Sequence, residues 1–276
     1  MFPVLFHLGP LLIPSYGVVT ALGLLIALFL TQRTARICAL NPNHLWNLCI
    51  LSLLAALIGS RILLGLWNFN TLIHHPLWIL ALAMIHHPLL AVAGALTGSL
   101  TALLYARFYK IPLAPLADAL AAPLALGLAF EQLASFLAGS GFGLATASRF
   151  AVIYTDPRAA LWSGTPLEIP LHPVQLYASA AALLIAIAAW ILLTHRRQQG
   201  DAAGISLIAA GVAIFLTEFL RSRTGRGAFL GGFIDGPQLA ALWLILIGGW
   251  LLLKRKNAQF NSALQSNEQP EEKSNP

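Results

Sequence analysis

Charge is what this sequence has least of. Only 9% of its 276 residues are Asp, Glu, Lys or Arg, against about 25% in an ordinary soluble domain. Hydrophobic residues make up 58%, and the mean hydropathy is +0.77. No soluble core could hide that much apolar surface, so a soluble protein is excluded and an integral membrane protein is implied. Cysteine is nearly absent too. Cys38 and Cys49 offer neither a disulfide framework nor metal-site spacing. There is no basic segment ahead of the first apolar run, so no cleavable signal peptide is expected. No internal repeat is visible, which argues against a transporter built from related halves. The adjacent pairs His74-His75 and His86-His87 lack i, i+4 spacing and nearby Cys or carboxylate, so no metal is expected. The net charge of +6 and pI near 9.7 would suggest nucleic acid in a soluble chain. Here they reflect loop arginines that set topology and meet anionic lipid, and no nucleic-acid partner is expected.

What is present is a series of long apolar runs. Residues 1–11 suit a segment lying on the membrane surface. Spans are expected at about Leu12–Leu30, Leu45–Trp67, Leu89–Tyr109, Leu113–Leu137, Val174–Thr194, Gly204–Leu220 and Pro237–Leu253. Leu77–Ile85 is too short to cross and is read as interfacial or re-entrant. The fold class is therefore all-α, a polytopic membrane protein of seven transmembrane helices. A small outer subdomain, Ala138–Leu171, stands between helices 4 and 5. Residues 1–255 form the membrane domain, and 256–276 read as a disordered tail.

Seven spans put the termini on opposite sides, and the positive-inside count sets the direction. One side carries ten basic residues: Arg33, Arg36, Arg107, Lys110, Arg196, Arg197, Lys254, Arg255, Lys256 and Lys273. The other carries six: Arg61, Arg149, Arg158, Arg221, Arg223 and Arg226. N-terminus out and C-terminus in is expected. Tyr16, Arg61, Glu131, His172, Gln175, Tyr177, Glu218 and Arg221 then all fall in the outer halves or outer ends of their helices.

Pro170–Tyr177 closes the longest polar interval. Pro173 fits a first helical turn, so His172, Gln175 and Tyr177 gather where a helix enters the bilayer. An interfacial anchor would use the same residue types. A buried charge costs roughly 2.5–3.5 kcal/mol on insertion scales, so Arg61 and Glu131 should face an interior and be paired. Arg61, Glu131, Glu218 and Arg221 are one such set, with Glu218 and Arg221 sharing a helix face; a network that only ties helices together would look alike. Asp118 suits a cap or a pair with Lys110. Gly94, Gly98, Gly139, Gly141 and Gly143 permit either close helix approach or room for acyl chains. Gly139–Gly143 should break a helix and could offer N–H groups to a phosphate.

The sequence resembles the prolipoprotein diacylglyceryl transferase family over residues 2–255. The resemblance rests on Leu5-Phe6-His7-Leu8-Gly9-Pro10 with Tyr16-Gly17, on Gly59-Ser60-Arg61, on His172-Pro173-Val174-Gln175-Leu176-Tyr177, on Phe215, Glu218 and Arg221, and on Gly236-Pro237-Gln238. It implies an enzyme of the bacterial inner membrane that transfers diacylglyceryl from phosphatidylglycerol to the lipobox cysteine thiol of a preprolipoprotein. Glycerol 1-phosphate leaves, and no cofactor is needed. The implied partners are phosphatidylglycerol, the lipobox signal peptide and membrane lipid. Arg61 and Arg221 would hold phosphate. Glu131 or His172 would take the thiol proton. Tyr16, Gly143, Gln175, Tyr177 and Glu218 would complete substrate binding. The departures from the family are Ala93-Gly94-Ala95 for its His-Gly-Gly, Gln132 for an arginine with Glu131 beside it, Ser135 for an asparagine, and Ile214 for another arginine. The alternative reading is a paralogue that binds lipid or lipoprotein precursor without transfer.

Overall fold

A computed structural model describes residues 2–8, 11–74, 88–195, 198–222, 228–229 and 234–268. It opens with strands β1 (Val4–Leu8) and β2 (Leu11–Pro14), followed by helices α1 (Ser15–Ile37), α2 (Pro42–Trp67), α3 (Phe69–His74), α4 (Pro88–Phe108) and α5 (Leu113–Ala138). Strand β3 (Val152–Ile153), helix α6 (Pro157–Ser163) and strand β4 (Pro170–Leu171) come next. Helices α7 (Val174–His195) and α8 (Asp201–Glu218), strands β5 (Ala228–Phe229) and β6 (Ile234–Asp235), and helix α9 (Gly236–Glu268) complete the chain. Six helices are long and apolar enough to cross a membrane: α1, α2, α5, α7, α8 and residues 236–254 of α9. In hydrocarbon every backbone polar group needs a partner within its own segment, and runs of this composition satisfy that as helix. Their outer faces stay apolar, with Leu57, Leu128, Leu184 and Leu246 all well exposed, as lipid-facing residues would be. The expected segment Leu77–Ile85 lies outside the described residues.

The chain divides into two compact units, residues 1–30 with 117–276, and residues 31–116. In the second unit α2 packs against α4. Asn41 caps α2 through its side chain to the Asn43 N–H, with Pro42 at the first turn. The two helices touch through small residues. A Cβ on Gly98 would lie 3.0 Å from the Ser52 carbonyl oxygen, one on Gly94 3.2 Å from that of Ala56, and one on Gly59 2.6 Å from the Thr97 side chain. Of the two readings of Gly94 and Gly98, close helix approach is the one realised.

In the first unit the opening is a β-hairpin, and α1 begins at Ser15 instead of Leu12. The Ser15 N–H donates to the Pro3 carbonyl at 3.0 Å, which pins the hairpin to the start of α1 beside Tyr16. Helix α8 packs against both α9 and α7. A Cβ on Gly211 would lie 2.6 Å from the Ala241 carbonyl oxygen, and one on Gly248 2.6 Å from that of Gly204. Asp118, fully buried, caps α8: its carboxylate accepts from the Gly200 N–H at 2.6 Å and the Ala203 N–H at 2.9 Å. Helix α9 continues to Glu268, through residues read from sequence as a disordered tail. Asn257–Glu268 contains neither glycine nor proline, so nothing local stops the helix.

The α8–α9 contact predicts a graded response. Gly211→Val and Gly248→Val place carbon against backbone and should cost ~1–3 kcal/mol each, lowering the melting temperature in detergent by several degrees. Gly249→Val, where a Cβ meets open space, should melt within a degree or so of the parent.

Candidate functional site

Helix α5 ends where glycine takes over. Gly139 has φ +84° and Gly141 φ +64°, both in the left-handed region that favours glycine. The chain then runs extended between two other segments. On one side Gly143 bridges antiparallel to Arg221, flanked by Leu144 N–H to the Leu220 carbonyl at 2.8 Å and Ser222 N–H to the Phe142 carbonyl at 3.1 Å. On the other side the His172 N–H donates to the Leu144 carbonyl at 2.9 Å, and Ala145 bridges Leu171. Three distant pieces of sequence are thereby laid side by side, with Arg221 and His172 flanking one glycine. A Cβ on Gly143 would collide with the His172 carbonyl, the His172 Cβ and Val174 Cγ2. Gly143, expected to contact substrate, is first of all the place where His172 and Arg221 can approach.

Residues 139–173 fold around their own small core of Tyr154, Ala159 and Leu171, with Phe142, Val152 and Leu167 packed on it. Asp156 caps α6. Tyr154 is almost wholly buried. Its hydroxyl donates to the Phe136 carbonyl at 3.3 Å and faces the Gln175 amide nitrogen at 3.4 Å. The Gln175 Nε2 also donates to the Ser140 carbonyl at 2.8 Å. The Thr165 hydroxyl donates to the Gly139 carbonyl at 2.7 Å. These bonds hold the glycine turn. Burial pushes the Tyr154 phenol up to about 12, although the Gln175 contact pulls the other way.

Glu131 is paired, as its depth demanded. The Oε2 accepts from Gln132 Nε2 at 2.6 Å and the Oε1 from Ser135 Oγ at 2.9 Å, and the Tyr16 phenol faces the same carboxylate. The Gln132 Oε1 in turn accepts from Arg221 Nη2 at 3.1 Å. Arg221 Nε lies 3.5 Å from Glu218 Oε2. A chain therefore runs Tyr16–Glu131–Gln132–Arg221–Glu218. Burial lowers the Arg221 pKa from its ordinary value, while the Glu131 and Asp235 carboxylates act to raise it. Asp235 reaches this place from the start of α9. It forms a reciprocal cap with Gln238: Gln238 N–H to Asp235 Oδ1 at 2.9 Å and Asp235 N–H to Gln238 Oε1 at 3.1 Å. The Gly236-Pro237-Gln238 motif is thus a helix start.

Two polar atoms are buried here with neither a hydrogen-bond nor an ion-pair partner among the described residues, His172 Nδ1 and Gln175 Oε1; Arg221 Nε makes no hydrogen bond either, but it faces Glu218 Oε2. Buried polar groups are normally bonded, so these are atoms able to receive a ligand. Tyr177 stands edge-on to the His172 ring, with centroids 6.5 Å apart. Arg61 belongs to the second unit, on α2 just past Gly59 and Ser60. The network expected among Arg61, Glu131, Glu218 and Arg221 is thus built in the first unit by Glu131, Arg221 and Glu218, with Gln132 as the link. Gln132, Tyr154 and Asp235 were missed as site residues. Gln132 stands next to Glu131, which is a signal of sorts. Tyr154 carries no motif.

An apolar bundle with ionisable groups buried near the ends of its helices is the arrangement of a membrane-embedded enzyme acting on amphipathic substrates. The chain belongs to the prolipoprotein diacylglyceryl transferase family, which it matches over residues 3–254. It is 28% identical over 251 residues to the phosphatidylglycerol–prolipoprotein diacylglyceryl transferase of Clostridium tetani, covering 90% of this chain and 95% of that one. It is 29% identical over 273 residues to the protein of that name from Photobacterium profundum (95% and 96% covered). To the one from Rhodospirillum centenum it is 30% identical over 264 residues, with 91% of each chain covered.

Two outcomes follow from the geometry. Gly143→Ala drives a Cβ into the His172 carbonyl and Val174, pushing His172 away from the Gly143 segment, and should abolish at least nine-tenths of the activity while the helical circular-dichroism signal persists. The second concerns Tyr154. Its folded-state pKa stands above its ordinary value of 10.0, so the folded chain holds the proton more tightly. That contribution is complete below pH 10 and is lost as the pH rises toward about 12. Tyr154→Phe should therefore show a shallower loss of stability across this alkaline window, measured by melting at stepped pH.

Proposed function

We propose that this chain is a multi-pass enzyme of the bacterial inner membrane that transfers diacylglyceryl from phosphatidylglycerol to the lipobox cysteine thiol of a preprolipoprotein. The observation that carries the reading is the extended Gly143 segment, which pairs with the backbone at Arg221 on one side and with that at His172 on the other, His172 Nδ1 being buried without a hydrogen-bond partner among the described residues. The chain crosses the membrane seven times, α4 being the additional span, with its N-terminus outside, its C-terminus inside and residues 139–173 as an outer subdomain. The ten-to-six division of basic residues supports that orientation. No cofactor enters the reaction.

In the transfer the cysteine sulfur forms a bond to the glyceryl carbon, and the bond from that carbon to the phosphate oxygen breaks. Glycerol 1-phosphate leaves with the electron pair, and the thiol proton passes to a base. Arg221 holds the phosphate where charge accumulates as the bond breaks. Arg61 is a second candidate for that work. His172 takes the proton, its Nδ1 being uncommitted. Glu131 shares the candidacy on sequence grounds. Its oxygens, however, already accept from Gln132 and Ser135, and we assign it the anchoring of Gln132 and hence the aim of Arg221. Gln175 Oε1 is free to accept from a headgroup hydroxyl. Tyr16, Tyr177 and Glu218 border the substrate.

The test mixes purified protein with phosphatidylglycerol and a lipobox peptide and follows the peptide's mass. A diacylglyceryl adduct is expected, and its absence with both substrates competent overturns transfer in favour of simple binding. Two variants separate the candidate bases. His172→Gln should lower kcat by about 10²–10⁴-fold, the range of a lost general base. Glu131→Gln, which can still accept from Gln132, should change kcat less than tenfold. The opposite order would make Glu131 the base.

A further inference from the structure

One end of the second unit is basic, and the unit itself contains no Asp or Glu. Arg33 and Arg36 lie in the last turns of α1, immediately before α2 begins. Helix α4 brings Arg107 and Lys110 to the same end. Its Tyr109 ring lies 4.7 Å from the ring of His44, in the first turn of α2, and its Tyr105 hydroxyl is 3.2 Å from His44 Nδ1. The end of α4 is closed by Ile111 N–H to the Ala106 carbonyl at 2.8 Å and Lys110 N–H to the Arg107 carbonyl at 3.3 Å, which fixes Lys110 just past the last turn. All four cations are exposed. The sequence supplies them with no local counter-charge, because no Asp or Glu precedes Asp118.

A shallow furrow of about 380 Å³ starts at this end. It runs along α4 from Tyr109 and Phe108 past Tyr105 and Leu104 to Thr101, two helical turns or about 10 Å. The Tyr105 and Tyr109 rings, 4.4 Å apart, form its aromatic end, and Leu104 and Thr101 its far end. Orientation by positive charge accounts for the arginines. It does not account for an apolar trough leading away from them into the bilayer.

We propose that this end of α4 is a binding site for an anionic phospholipid. The phosphate is held by Arg107 and Lys110 within the field of Arg33 and Arg36, and an acyl chain lies along the furrow. Polar head, aromatic collar and apolar trough follow one another in the order of the lipid's own parts. The site lies in the second unit, apart from Arg221 and His172, and does not depend on transfer.

The test uses the full chain, delipidated in detergent and titrated with phosphatidylserine or with phosphatidylcholine of the same acyl chains. Bound lipid is counted by native mass spectrometry. Phosphatidylserine is chosen because it is not the transfer substrate, so failure here and failure of the activity are read separately. The parent chain should retain phosphatidylserine in preference to phosphatidylcholine. Each neutralised cation should weaken retention roughly fivefold, so Arg107→Gln with Lys110→Gln should lose about 25-fold. Leu104→Trp, which fills the trough, should weaken retention with the cations intact, and Arg149→Gln, elsewhere on the chain, should change nothing. Equal retention of the two lipids overturns the proposal, as does an equal loss in Arg149→Gln. Displacement of the lipid by inorganic phosphate at the same concentration would reduce the site to an anion patch. A dimer that binds no lipid and is broken by Leu104→Trp would assign the furrow to a second copy.

Discussion

The bridge between the Gly143 and Arg221 backbones is the constraint on which the rest of the site depends. Arg221 follows the end of α8, and His172 precedes α7. The extended segment after α5 pairs with the backbone of both, and on the His172 side it can do so only because residue 143 has no side chain. The small core around Tyr154 exists in service of that segment. Tyr154, Gln175 and Thr165 bond to the carbonyls of Phe136, Ser140 and Gly139, which are the last turn of α5 and the turn beyond it. Packing under the glycine turn thus becomes the position of a histidine.

Electrostatics around Arg221 are less one-sided than a phosphate site would suggest. One guanidinium is neighboured by Glu218 directly, by Glu131 through Gln132, and by Asp235 at the start of α9. An arginine held on several sides is well aimed but partly neutralised. A ligand phosphate competes with resident carboxylates for its donors. In the proposed transfer, Arg221 contributes most when negative charge grows on the leaving oxygen. Gln132, standing where relatives are expected to carry arginine, joins the charged groups without adding a charge of its own.

Much of this was legible in the sequence. Long apolar runs are helices because hydrocarbon leaves the backbone no other partner. The His172–Tyr177 signature and the Glu218–Arg221 spacing carried the family, and Glu218 and Arg221 do lie within ion-pair distance of each other. What stayed hidden depended on partners far away in the chain. Gln132 and Arg221 are separated by 89 positions, and nothing local marks the amide as a link. Tyr154 looked like any tyrosine in a polar interval. Asp118 was read as a cap or a partner of Lys110, and it proved to be a cap, but of a helix 82 positions on. The opening hairpin was missed because a short apolar stretch with two prolines has no periodicity that separates strand from surface segment. The long end of α9 was missed because polar composition and helix propensity pull in opposite directions there.

The glycine contacts between α8 and α9 bear on how a lipid could be admitted. Gly211 and Gly248 lie against backbone carbonyls of the facing helix, and Leu252, Ile245 and Ile208 fill the same seam around the glycines. A seam packed this closely resists separation of the two helices. Arg221 and Glu218 ride at the end of one, Asp235 and Gln238 at the start of the other, so the acidic setting of Arg221 travels with it. Within this unit a door for a two-tailed lipid must be hung elsewhere, and α8 with α9 is the frame against which it closes.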